Sequence, residues 1–242
     1  MQQYFVEEAL FTGAKIKMNE DASHHMVHVL RMKNDDVVYV ANGQVQYEAK
    51  VYIEGKEVFV VCGDEKEDHS KTAVEIHLGM AMIKKDKWDF LLMKAAELGV
   101  TSIVPFFSKR CVVKAKEENS AKKMTRYRKI LQEACEQCKR SSLVELHEMS
   151  TIKQCRDLLQ ADVKLISYES ADVSSQHIKD VLAKYPNIKS AAIVIGCEGG
   201  FSEDEVAFFE EAGFIRVSLG GRILRAETAA MAAITMMDYH YS

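Results

Sequence analysis

Two glycine loops, each closing an apolar run and opening a helix, constrain this chain more than any other feature. Residues 193–206 read IVIGCEGGFSEDEV and residues 214–235 read FIRVSLGGRILRAETAAMAAIT. The first apolar run ends in a loop with Gly196, Gly199 and Gly200. Ser202, followed three residues later by Glu205, then forms a capping box that starts a helix. The second run ends at Gly220 and Gly221, and an alanine-rich helix opens near Arg225. In an α/β sheet the loops leaving the carboxyl ends of strands form the ligand crevice. Glycine there lets a ligand approach bare backbone. Two such turns predict a binding site between them.

The rest of the chain reads as two parts. The first 63 residues alternate apolar and polar side chains. An Asn42-Gly43 turn and a Glu54-Gly55-Lys56 turn separate the strand-like runs. This predicts a small antiparallel barrel with one short helix over 23–31. The polar run GDEKEDHSK at 63–71 marks the boundary, giving domains 1–70 and 71–242. Beyond it, strands are expected at 74–82, 102–105, 163–168 and 191–195, and helices at 86–98, 122–138 and 174–184. That alternation predicts an α/β domain with a mostly parallel sheet covered on both faces. The last helix, near 224–239, is apolar around most of its circumference. Its burial lies within one subunit or, as preferred, against a second copy.

Charge is unevenly placed. The net charge is −4, yet residues 1–70 carry seven basic and thirteen acidic side chains. Residues 109–140 carry eleven basic against four acidic. Such a stripe suits phosphate contact, and it is equally a solvated helix face. The N-terminus has no basic segment followed by an apolar one, and no apolar stretch reaches bilayer length. Six scattered cysteines (62, 111, 135, 138, 155, 197) read as free thiols in a reducing, cytoplasmic compartment.

Several chemistries find no support. There is no G-x-G-x-x-G after the first strand, no Walker loop and no G-x-S-x-G elbow. His24, His25 and His28 lack the carboxylate spacing of a zinc motif, and Cys135/Cys138 stand without a second pair, so no metal is expected. Cys197 as a nucleophile has no histidine near it in sequence. Glu198, amid glycines, is a ligand contact or a cap for backbone amides. Arg222 and Arg225 flank an apolar pair at the mouth of the second loop and suit phosphate or ligand contact. Lys94 is a functional cation or a partner for the end of its helix.

GCEGGFSEDE followed by LGGRILRAETA resembles the signature of the ribosomal RNA small subunit methyltransferase E family. HHMVHVLRMKNDD, KAAELGVTSIVPFFSKRCVV and EACEQCKR extend the resemblance over nearly the whole chain. It implies a SPOUT methyltransferase, with an N-terminal PUA-like β-barrel and a C-terminal α/β domain tied in a trefoil knot. It also implies S-adenosylmethionine as cofactor, a homodimer whose site is completed across subunits, and 16S rRNA in the small ribosomal subunit as substrate. The reaction implied is methylation of N3 of a uridine in the decoding region. Tyr168, Glu169, Gly196, Cys197, Glu198, Gly199, Gly200, Leu219, Gly220, Gly221, Ile223, Leu224 and Arg225 would then form the cofactor pocket. Arg225 or Lys94 would be the catalytic cation and Glu198 a candidate base. Arg31, Arg110, Lys122, Lys123, Arg126, Arg128 and Arg140 would hold RNA phosphates. Here Cys197 stands where the family usually has proline. Other readings are a non-catalytic RNA-binding assembly factor on the same fold and a SPOUT enzyme acting on tRNA.

Overall fold

The structure is a computed structural model and describes residues 1–113, 121–168 and 175–242. These fall into two compact units. One comprises 1–71 and 135–143, the other 72–134 and 144–242.

The first unit is a five-stranded sheet. Its strands are β1 (Gln3–Phe5), β2 (Lys15–Lys17), β3 (Val37–Ala41), β4 (Gln46–Glu54) and β5 (Glu57–Lys66), in the order β1-β3-β4-β5-β2. The β3–β4, β4–β5 and β2–β5 ladders are antiparallel, but β1 runs parallel to β3, so the expectation of a wholly antiparallel barrel is corrected. β1 is an edge strand that is not consecutive with β3, so no hairpin imposes an antiparallel pairing on it. The β3–β4 turn is held by Asn42, whose Oδ1 accepts from the amides of Gln44 and Val45, with Gly43 at φ 90°. Alternation brings Val58, Val60 and Cys62 of β5 onto a core with Ile16, Val38, Val40 and Val51.

The helix near the start of this unit is not α-helical throughout. After α1 (Glu20–His24), capped by Asn19, the chain continues as a π-helix over His25–Val29. The Leu30 amide bonds to the His25 carbonyl at 2.9 Å. Arg31 follows at φ 56°, exposed. A single π-turn of this kind marks functional sites more often than chance.

Residues 135–143 belong to this unit through polar contacts. Gln46 donates to Gln3 at 2.6 Å, Gln3 donates to the Arg140 carbonyl at 2.6 Å, and the Gly43 amide donates to the Ser141 carbonyl at 3.0 Å. Ser141 and Ser70 both donate to Asp68. Burial pushes that carboxyl up, but these bonds outweigh it and hold Asp68 below the usual carboxylate range.

The second unit contains β6 (Glu75–Ala81), α2 (Lys85–Glu97), β7 (Ser102–Phe107), α3 (Ala121–Cys138, its last turn grouped with the first unit), β8 (Glu145–Leu146), β9 (Ser150–Thr151), α4 (Ile152–Leu158), β10 (Val163–Ser167), β11 (Gln176–His177), α5 (Ile178–Leu182), β12 (Ser190–Ile195), α6 (Glu203–Glu210), β13 (Ile215–Ser218) and α7 (Ala226–Tyr241). The sheet order is β11-β13-β10-β12-β6-β7-β8, with β9 beside β7, and every pairing in it is parallel. Its central strands are buried on both faces, as a parallel sheet under helices requires: Ala191 to Ile195 are all buried. α2 ends where expected, with Gly99 at φ 93°. The helix expected over 174–184 is shorter, beginning at Ile178 after strand β11; position 174 lies outside the described residues.

α7 buries Ala226, Ala229, Ala230, Ala233, Ile234 and Met237 within its own chain, against α2, α5, β6 and β12. Met231, Ala232 and Met236 are only half-buried and Tyr239 is exposed, so one face of this apolar helix remains uncovered. Among the described residues no helix is long and apolar enough to cross a membrane.

Candidate active site

The carboxyl ends of three adjacent strands, β13, β10 and β12, open onto one cavity of about 610 Å³. Ser167 and Tyr168 leave β10, Ile195 and Gly196 leave β12, and Leu219 leaves β13. This is where the crevice of a parallel α/β sheet is expected. Both glycine loops line it: Gly196, Cys197, Glu198, Gly199 and Gly200 from the first, and Leu219, Ile223, Leu224 and Arg225 from the second. Gly220 and Gly221 shape the second loop without lining the cavity. Gly220, at φ 130°, is fixed by its amide bond to Ser218 Oγ at 3.2 Å. Glu169 lies outside the described residues.

The first loop is packed as closely as its glycines allow. A Cβ on Gly196 would sit 3.1 Å from Gly200 backbone, and one on Gly199 would sit 3.0 Å from Arg110 Cβ. Helix α6 then starts with both halves of its capping box formed, Ser202 to the Glu205 amide and Glu205 back to Ser202. Glu205 is buried, and its other oxygen accepts the Lys109 amide at 2.7 Å. That bond fixes the loop after β7, which sets Arg110 against the glycine loop: Arg110 Nη1 donates to the Gly199 carbonyl at 3.0 Å. Arg110, expected on RNA phosphates, therefore also lines the cavity.

The loop's thiol has an unusual environment. Ser108 Oγ lies 3.5 Å from Cys197 Sγ and 3.3 Å from Cys111 Sγ. Hydrogen bonds, first from the Cys111 thiol and then from Ser108, outweigh burial and bring the Cys197 pKa down to about 6, while the Cys111 thiol, as donor, is pushed up. All six cysteines are free.

The charged groups sort differently from expectation. Arg225 is the N-cap of α7, makes no side-chain capping bond there, and lines the cavity. Ala226 and Ala229 follow it along the lining, so the unpaired first amides of α7 stand beside the cavity, ready for an acceptor. Glu198 also lines it and accepts the Lys84 amide at 3.4 Å. Lys94 does not line the cavity; its ammonium is held by Glu97 at 2.7 Å, one turn along α2. The lysine that lines the cavity is Lys87, two turns earlier, with Glu198 Oε1 at 3.7 Å and Glu227 Oε1 at 3.5 Å. Lys87, Ser167, Ile195, Phe201, Ala226 and Ala229 also line this cavity and were not among the pocket residues expected from sequence. Lys87 shares its spacing with Lys94, and the strand-end rule applied to β6 points to it.

The residues expected on RNA fall on both units. Arg126 is bound to Asp89 and Arg128 to Glu148. Lys122 is exposed and Lys123 half-buried. Arg140 is buried in the first unit, and Arg31 is exposed at the end of the π-turn.

A parallel α/β sheet with a glycine-loop cavity at its strand ends, on a chain that also holds a small β domain, is the architecture of a small-molecule-binding α/β protein, and similarity to known proteins gives its class. A sequence profile described as an RNA methyltransferase domain matches residues 70–238, and one described as an RNA methyltransferase PUA domain matches 19–61. The chain belongs to the ribosomal RNA small subunit methyltransferase E family. It is 30% identical to the protein of that name from Buchnera aphidicola of Acyrthosiphon pisum over 237 residues, covering 97% of this chain and 91% of the relative. It is 27% identical to that of Bacillus subtilis, covering 99% and 96%. The crystal structure of the Neisseria gonorrhoeae enzyme of the same name bound to S-adenosyl methionine is 28% identical, covers 99% of this chain and 97% of that one, and superposes with a TM-score of 0.87. A Legionella pneumophila methyltransferase solved with bound SAM is 32% identical, covers 98% and 96%, and has the same TM-score.

Proposed function

We propose that the chain methylates N3 of a uridine in the decoding region of 16S rRNA within the small ribosomal subunit, working as a homodimer. That the chain is an RNA methyltransferase follows from its family. Its cofactor is S-adenosylmethionine, as in the relatives solved with it bound. The observation that carries the reading is the convergence of both glycine loops on one cavity. The residues fit that cofactor. The volume is that of a small-molecule site, bare glycine backbone and uncapped helix amides offer polar contacts, and Leu219, Leu224 and Tyr168 offer apolar cover. Bound there, S-adenosylmethionine supplies a methyl group on a cationic sulfur.

The chain's own residues then have three tasks. Uracil N3 carries a proton and is a poor nucleophile until it leaves. Glu198 lines the cavity, which supports it as the candidate base that takes this proton. The resulting charge spreads over the two flanking carbonyls, and Arg225 is the cavity cation of the resemblance that can meet it; Lys94 is set aside because it does not line the cavity. Alignment and exclusion of water fall to the loop walls. To present N3 the base must leave its stack. Arg31, Arg110, Lys122, Lys123, Arg126 and Arg128 belong to the proposed RNA contact, Lys122 and Arg31 being exposed; Arg140 is set aside because it is buried in the first unit. Phe90 and Met93 of α2 and Tyr239 of α7 are large exposed apolar side chains on two helices that pack together, which supports a homodimer.

The test is nucleoside mass spectrometry of 16S rRNA and tRNA after reaction of the purified protein with unmodified small subunits and with tRNA. The reading expects 3-methyluridine in 16S rRNA alone. Methylated tRNA, or methylation at another uridine atom, overturns it.

A further inference from the structure

Lys87 breaks a local rule. Lys84, Lys85 and Lys87 crowd the first turn of α2, where the positive end of the helix dipole disfavours cations. Lys84, the N-cap, makes no side-chain capping bond. Glu198, from the glycine loop, takes that place by accepting the Lys84 amide. Conflicts between local preference and structure concentrate at functional sites.

The ammonium of Lys87 is held but not used up. Its side chain is 30% exposed, and its two carboxylates stand at 3.5 and 3.7 Å, beyond good hydrogen-bond length. No hydrogen bond from it forms among the described residues, so its three donors remain open beside the cavity. Glu227 is more deeply buried, with one oxygen toward Lys87 and the other without a hydrogen-bond partner among the described residues. Leaving a carboxylate oxygen unpaired is unfavourable. Its remaining attachment is Lys87, which it anchors from behind while Glu198 lines the cavity.

We propose that Lys87 is a second catalytic cation: its ammonium donates to one carbonyl beside the reacting nitrogen of the target uracil, Arg225 meets the other, and Glu227 is the positioning residue that anchors Lys87. This rests on the uracil-N3 reading above. A uracil anion carries its charge on two carbonyl oxygens on opposite sides of N3, so one donor on each side matches it. In the step, the N3–H bond breaks and its proton goes to Glu198. The electron pair left on N3 forms the N–CH3 bond, and the pair of the broken C–S bond stays on sulfur, leaving a neutral thioether. Protonation of Glu198 removes one of the two negative charges facing Lys87 as negative charge develops on the base. The ammonium's field is thereby turned toward the substrate. The other charged groups about it are Asp86 in the same turn, Lys84 and Lys85 before it, and Arg110 and Arg225 around the cavity.

The experiment uses the full chain with unmodified small subunits and compares wild type with Lys87→Met, Lys87→Arg, Glu227→Gln and, as control, Lys85→Met. Turnover, calorimetric S-adenosylmethionine affinity and the pH–rate profile are measured. Loss of one charge-stabilising donor predicts that Lys87→Met lowers kcat by about 100-fold with cofactor affinity unchanged, while melting falls because Glu227 loses its ion-pair partner. Its rate should keep climbing with pH beyond the point where wild type levels off, because N3 must now ionise without the ammonium. Fluorinated subunits, whose 5-fluorouridine N3 proton is more acidic, should recover part of the loss. Lys87→Arg should recover part as well, Glu227→Gln should lower kcat less, and Lys85→Met should match wild type. Wild-type kcat in Lys87→Met, while wild type makes 3-methyluridine, overturns the role of Lys87 alone. So does a kcat loss that tracks lost cofactor binding or an unaltered pH profile. Absence of 3-methyluridine from the wild-type reaction overturns the N3 reading and this proposal with it.

Discussion

The two units solve the burial of a sheet in opposite ways. In the first, strands alternate, so β5 buries Val58, Val60 and Cys62 while Phe59 and Val61 between them are only half-buried. In the second, β12 is buried from Ala191 to Ile195 and β7 from Ser102 to Phe106. A sheet with one wet face can place charge along its strands. One with none must place its chemistry at the strand ends. The contrast teaches where to look for function: on the surface of the first unit, at the π-turn and Arg31, and in the carboxyl-end loops of the second, at Glu198, Lys87 and Arg225.

The largest expected effect tests the contrast in burial. Ile193→Ala, in fully buried β12, should destabilise its unit by about 2–5 kcal/mol, while Ile53→Ala, half-buried on β4, should cost under about 1 kcal/mol. Urea unfolding of the two variants measures this, and equal losses would break the comparison. Next is the contrast in chemistry. Arg225→Ala should lower kcat by about 10²–10³ with melting unchanged, whereas Arg31→Ala should raise KM for the ribosomal substrate and spare kcat. Steady-state kinetics separates them, and a pure KM effect from Arg225 would remove it from the reacting centre. A smaller effect concerns the basic helix. Lys122→Gln should reduce the salt slope of RNA binding by about one. Arg126→Gln and Arg128→Gln should change it less, because Asp89 and Glu148 already neutralise those charges. Filter binding across a salt series reads the slopes.

The smallest effect lies in the first unit. Asp68 has a depressed folded pKa, so its contribution is present above the unfolded value of about 3.9 and is lost as pH falls through the folded one. The stability advantage of wild type over Asp68→Asn, measured by thermal melting, should therefore begin to shrink as pH falls below about 4 and be gone once Asp68 is protonated in the folded state as well. An advantage that persists there would show that the Ser141 and Ser70 bonds do not depend on the charge.

Much of this was legible because local signals and tertiary structure agree. Apolar runs followed by glycine gave β12 and β13, Ser202 and Glu205 gave the start of α6, and Gly99 gave the end of α2. Nine of the pocket residues expected from the two glycine loops do line the cavity. What sequence could not supply was pairing across long separations. β8 and β9 have two residues each, too short for a period. The parallel run of β1 beside β3 and the return of 135–143 to the first unit depend on contacts such as Gln3 with Arg140, 137 residues apart. The basic stripe looked like free charge because Asp89 and Glu148 lie outside it. Lys87 looked like one more surface lysine because its partners, Glu198 and Glu227, come from the far end of the chain.

The claim on which everything else depends is that the two glycine loops enclose the cofactor. Hydrogen-exchange mass spectrometry of the full chain, with and without saturating S-adenosylmethionine, tests it directly. The account predicts protection concentrated at 195–201 and 219–229, with little change in the five-stranded sheet. Protection confined to other segments, or none at saturating cofactor, contradicts it.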